Sequence, residues 1–142
     1  MTEIKQLSTS VPKLIGMNQY LIIEDENKQP VFSFDNIISC SAIVFKCKKG
    51  FAGFHFEAEG LLNNRRNYSL RMKRMINAIV RSVGDIIWVI CFTPSVNDPS
   101  SRAWVDELRI EEFFSDEMKV RYKRVDSIEE VSHQIDWKRD TV

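Results

Sequence analysis

Little in this chain advertises a cofactor, a metal, a membrane or a disulfide framework. Its 142 residues contain five scattered glycines and four prolines, and none of the glycines combines with Lys and Ser/Thr as a phosphate loop or dinucleotide fingerprint requires. No cofactor is therefore expected. The three cysteines, Cys40, Cys47 and Cys91, are an odd number at no repeated spacing, which argues against a disulfide framework and for a reducing compartment. His55 and His133 are the only histidines that could join them in a zinc site, and the short spacing of structural zinc sites is missing, so no metal is expected. Twenty basic and twenty acidic residues cancel, which removes any global attraction to nucleic acid or anionic membrane. Met1 to Lys13 contains no apolar run that could serve as a secretory signal, and no stretch reaches the roughly 18 apolar residues of a membrane span. A cytoplasmic site of action is expected, either in the producing cell or after delivery into a host or competitor cytosol without a signal peptide.

What remains is a chain with 44% hydrophobic and 28% charged residues, ordinary for one globular domain over 1–142, with mobile ends at about 1–13 and 137–142. Gln19 to Glu24 and Val31 to Phe34 read as strands joined by the hydrophilic turn Asp25 to Pro30. A hairpin, Ala42 to Cys47 and Phe51 to Phe56, follows, and then a linker from Glu57 to Asn64. Tyr68, Met72, Met75, Ile76, Ile79 and Val83 form one helical stripe over Asn67 to Val83. Arg71, Lys73, Arg74 and Arg81 lie off that stripe, as a solvated face or a dock for an acidic protein. Gly84 ends the helix, and Ile86 to Phe92 reads as a central strand buried on both faces. Ser100 or Ser101 caps a predicted helix to about Phe114, Met118 to Val125 is an outer strand, and the capping box from Asp126 to Glu129 opens a short helix to about Ile135. This order predicts an α/β (α+β) fold, a two- or three-layer sandwich of a mixed sheet with helices.

The hairpin carries the chemistry. A thiol, Cys40, stands at the entrance to its first strand, and an imidazole, His55, stands on its return. A cysteine nucleophile needs a base to take its proton, because a free thiol is mostly protonated at neutral pH. Register decides whether the two meet. If Lys46 pairs with Phe51, Ala42 faces His55, and Cys40 lies one diagonal step away on the same face, roughly 7–8 Å between Cα atoms. If Cys47 pairs with Phe51, a regular ladder puts Cys40 and His55 on opposite faces. Both registers stay open, as does the plainer reading of Cys40 as a small hydrophobe and of His55 as a sheet histidine packed on Phe54 or Phe56. Cys91, in the most apolar run, is read as buried and inert. Cys47, beside Lys48 and Lys49 at the turn, is read as an exposed bystander.

Ser39-Cys40, the apolar strand ending in Cys47 and the return Gly53-Phe54-His55-Phe56 resemble the chemoreceptor glutamine deamidase family CheD. They are more distantly similar to the catalytic domains of cytotoxic necrotizing factor and Burkholderia lethal factor. Cys40 and His55 are fifteen residues apart, similar to the spacing in that superfamily, and Asn64 to Val83 looks like the helix that follows the CheD hairpin. Asn36-Ile37-Ile38 replaces the glycine-rich approach to the cysteine, and Phe34 stands where a threonine is expected, with Ser33 the nearest hydroxyl. The resemblance implies a cysteine-dependent protein glutamine deamidase acting on a protein substrate. It implies catalytic residues Cys40, His55 and Ser33, an oxyanion held by the backbone N–H groups of Cys40 and Ser41, and no cofactor. Two rivals are a non-catalytic adaptor or immunity module, and a cysteine hydrolase or transglutaminase using the same thiol.

Overall fold

A computed structural model describes residues 3–7, 14–35, 41–94, 109–115, 118, 120–125 and 133–140. Eight strands are present among them: β1 (Lys5–Gln6), β2 (Gln19–Ile23), β3 (Val31–Phe34), β4 (Ser41–Cys47), β5 (Gly50–Phe56), β6 (Ile86–Pro94), β7 (Val120–Val125) and β8 (His133–Asp136). The helices are α1 (Ala58–Asn63), α2 (Arg65–Val83) and the single turn α3 (Trp137–Asp140), with a 3-10 turn at Ile110–Phe113. Six strands form a mixed sheet in the order β1-β2-β5-β4-β6-β7, and β3 and β8 form a separate antiparallel pair. The expected mixed-sheet α+β sandwich is what the chain forms.

Strand alternation sorts the large sheet into two faces. Ile43, Phe45, Cys47, Ala52, Phe54 and Phe56 join the stripe Tyr68, Met72, Met75, Ile79 and Val83 of α2 in one core. Ala42, Val44, Phe51, Ile90 and Phe92 join Phe32, Phe34 and Ile135 of the small sheet, together with Trp137, in the other. The hairpin β4–β5 is thus the middle layer, covered by helix on one side and by the β3–β8 ribbon on the other. That is why its seven-residue return strand is buried at every position, and why its sequence lacks the polar alternation of a half-exposed strand.

The hairpin turn is tight: Cys47 pairs with Gly50, leaving a two-residue loop of Lys48 and Lys49, and Gly50 does not have a positive φ. A close approach is what requires glycine there. A Cβ there would stand 2.1 Å from the Ile23 carbonyl oxygen and 2.8 Å from Val83 Cγ1, too near a backbone atom to be relieved by a side-chain rotation.

Other elements depart from their predicted form. Glu57 to Asn64 is not a plain linker: it contains α1, which buries Leu61 completely. The central strand β6 is sealed only from Val89 to Phe92, because Ile87 keeps half its surface exposed. Of the helix predicted to reach Phe114, the described part is Arg109, in a left-handed conformation, followed by the 3-10 turn Ile110–Phe113; the residues before it lie outside the described ones. The capping box from Asp126 to Glu129 is also outside them, and His133, expected on a helix, lies in β8. Neither expected mobile end is wholly unstructured. Lys5–Gln6 pairs in parallel with Gln19–Tyr20, and Trp137 is 1% exposed, with its ring 5.0 Å from Phe51 and 5.1 Å from Trp88. No described helix is long and apolar enough to cross a membrane.

Candidate active site

The hairpin adopts the register in which Lys46 faces Phe51 and Ala42 faces His55. Alternation then turns His55 toward the β3–β8 ribbon, together with Phe51 and Gly53. The Phe32 ring lies against Gly53, 2.7 Å from where a Cβ would be. Phe34 meets the imidazole edge-on at 6.1 Å between ring centres. His55 therefore packs on Phe34, and not on Phe54 or Phe56, whose rings contact each other in the other core.

His55 is 2% exposed, and its two ring nitrogens have different fates. Nδ1 lies 2.9 Å from the backbone carbonyl oxygen of Ile15. A carbonyl can only accept, so Nδ1 carries the proton and donates it. In the neutral ring this leaves Nε2 as a bare acceptor, and Nε2 is buried with no hydrogen-bond partner among the described residues. Burial lowers the imidazole pKa from its ordinary 6.5, opposed by the Ile15 hydrogen bond and by the nearby Asp35 carboxylate. The ring is thus held neutral at physiological pH, as a base must be before it acts.

The Ile15 carbonyl is itself fixed. Ile15 forms a parallel bridge with Phe34, its N–H donates to Ser33 O at 2.8 Å, and its carbonyl also accepts the Asp35 N–H at 3.1 Å. This main-chain oxygen holds the imidazole, and reading by residue type could not find it. Ser33, the hydroxyl assigned as a third catalytic member, is not brought to the ring. In β3 the buried positions are Phe32 and Phe34, so alternation directs the Ser33 side chain to the opposite face of the ribbon.

Cys40, with Asn36 to Ser39, lies outside the described residues. The next residue, Ser41, is 4% exposed and pairs with Phe56, and alternation puts its side chain on the same face as Ile43 and Phe45. Its hydroxyl is thereby committed to the helix side of the sheet, away from His55.

The other two thiols are structural. Cys91 is fully buried, as its apolar run predicts, and burial pushes its pKa up to about 12. Cys47 is not exposed: it is 2% accessible on the helix side, and burial, with Asp85 adding to it, pushes its thiol up to about 12 as well. Both should resist alkylation by iodoacetamide near neutral pH and react only when the chain is unfolded. Peptide mapping of the labelled native protein checks this, with modification of Cys47 or Cys91 at the rate of a free thiol as the contrary result.

The depressed basicity of His55 also has a thermodynamic sign. The folded ring binds its proton less tightly than an unfolded one, so below about pH 6.5 the unfolded chain takes up more protons and stability falls as pH falls. Urea midpoints from about pH 8 to 5 should decline for the wild type and decline less for His55→Asn, which keeps an N–H for the Ile15 carbonyl but cannot titrate. Parallel curves for the two proteins would contradict this assignment.

Among the described residues no group of three or more His, Cys, Asp and Glu side chains is arranged to hold a metal ion. Comparison with protein-family models and with curated proteins gives no match to this chain.

Proposed function

We propose that this protein is a cysteine-dependent protein glutamine deamidase, converting a glutamine side chain of another protein to glutamate and ammonia. The observation that carries the reading is the state of His55: buried, neutral, oriented through Nδ1, and presenting on the strand beside the entry to β4 an Nε2 that has no partner among the described residues. An unsatisfied buried acceptor costs about 1–3 kcal/mol, a cost that a proton donor at that atom would remove. Cys40 precedes β4 by one residue, and the observed register is the one that favours its meeting His55.

In this reading Nε2 takes the Cys40 proton, and the thiolate attacks the carboxamide carbon of glutamine. The tetrahedral oxyanion is held by backbone N–H donors, assigned to Cys40 and Ser41; one such donor is worth about 2.7–4 kcal/mol in related chemistry. Collapse breaks the C–N bond, and the imidazolium returns its proton to the departing ammonia. A water then gives a proton to Nε2 and cleaves the thioester, leaving a carboxylate and restoring the thiol. Glutamine, rather than another acyl group, is supported by the resemblance at the hairpin.

The test is mass spectrometry of native proteins incubated with the enzyme, with ammonia release followed in parallel. A deamidated glutamine gains about one dalton with release of ammonia. An added primary amine should leave the product unchanged; incorporation of that amine would indicate a transglutaminase. Absence of any acyl product would favour the adaptor or immunity reading.

A further inference from the structure

Bonded to the main chain of His55 is a closed polar ring that neither the Cys/His pair nor the hairpin motif includes. Asn18 is 1% exposed and takes a left-handed conformation with φ 61°, a region in which asparagine is tolerated better than most residues. Its backbone N–H donates to the carbonyl oxygen of His55 at 2.9 Å, and its own carbonyl accepts from Lys5 N–H at 2.9 Å. Its side chain is held at both ends. Nδ2 donates to a Glu57 carboxylate oxygen, and Oδ1 accepts the Tyr68 hydroxyl at 2.6 Å. Glu57 N–H in turn donates to Tyr68 Oη at 3.1 Å. The carboxylate can only accept, which fixes the amide orientation and the direction of the Tyr68 proton.

The geometry points to Asn18 as the positioning residue of the His55 base, locked by Glu57 and Tyr68. The assignment of His55 as a base is that of the function proposed above. The mechanical case rests on chain connectivity. Asn18 grips the main chain of His55, and three residues earlier in the same loop Ile15 supplies the carbonyl that receives Nδ1–H. The turn between them is tied by Gln19 N–H to Gly16 O at 3.0 Å and by Gly16 N–H to Gln19 Oε1 at 2.9 Å. The loop therefore holds His55 at its backbone and at its ring. The Asn18 side chain anchors that clamp to α2 through Tyr68 and to the residue before α1 through Glu57. Freeing the anchor loosens the Asn18 grip on the His55 main chain while the Ile15 carbonyl stays held by Ser33 and Asp35, so the ring shifts against its acceptor and redistributes its proton between the two nitrogens.

Two variants test this. Asn18→Gly keeps the left-handed backbone accessible and removes the anchor; Tyr68→Phe keeps the ring in the core and removes one hydroxyl. Nitrogen chemical shifts of the His55 ring are the primary readout and do not depend on knowing a substrate. The wild type should show protonated Nδ1 and bare Nε2, and each folded variant should show a mixture of tautomers. On a substrate identified by its mass change, kcat should fall about tenfold or more with KM little altered, as misplacement of a catalytic group does. Unchanged ring shifts in a folded variant would overturn the proposal, and Tyr68→Phe keeps that outcome open if Asn18→Gly does not fold. A tautomer change in a protein that deamidates nothing would uphold the positioning role while refuting the deamidase reading.

Discussion

Cys40→Ser is expected to abolish the glutamine-to-glutamate mass change, with kcat falling by about 10⁴-fold or more, the scale on which nucleophile deletions act. The reason lies in His55. Its burial weakens its basicity, so it suits a thiol that ionises near neutral pH and is poorly matched to an aliphatic hydroxyl. His55→Asn should be comparably inactive, since the amide can still serve the Ile15 carbonyl but offers no base in place of Nε2. The double variant should be scarcely worse than either single one, because the two groups act as a unit. A Cys40→Ser protein that retains wild-type turnover would remove the thiol from the mechanism.

Trp137→Ala should destabilise the fold by about 3–5 kcal/mol, the usual cost of truncating a buried aromatic. That is a large part of the about 5–15 kcal/mol that holds a typical domain together. Trp137 follows β8 directly and closes the ribbon-side core between Phe51 and Trp88. Its N–H reaches the Pro30 carbonyl at 3.4 Å, so the same residue also ties β8 to the turn before β3. Urea unfolding measures the loss, and Trp137→Phe should recover a good part of it. Activity per folded molecule should persist, since Phe51 and His55 stand at opposite ends of β5. A midpoint shifted by no more than a surface substitution would mean that the indole is not holding this core.

These two residues show where sequence is readable. The stripe on α2 was plain because five buried side chains recur at helical spacing over nineteen residues. The hairpin strands were plain from their β-branched and aromatic content, but not their register, since Lys48-Lys49-Gly50 suits more than one loop length. The period of two through Ile43, Phe45 and Cys47 already assigns Cys47 to the helix face; its lysine neighbours obscured that. Trp137 was hidden because one apolar anchor among charged residues has no periodicity. The partner of His55 had no signature of any kind: every residue carries a carbonyl, and only the fold brings that of Ile15 to Nδ1. Ser33 is the hydroxyl nearest in sequence to the expected threonine position, and strand alternation turns it away.

The two outer strands of the large sheet decide how this protein behaves at high concentration. With equal numbers of acidic and basic residues, molecules gain no mutual repulsion from net charge near neutral pH, so colloidal stability depends on local features. One border is only the two residues of β1, too short to template a neighbour. The other, β7, carries the exposed Arg121 beside Trp88, at 5.6 Å from its ring centre. Short and charged borders discourage fibril-like growth, a safeguard that a hairpin as apolar as β4–β5 would otherwise lack whenever it opened.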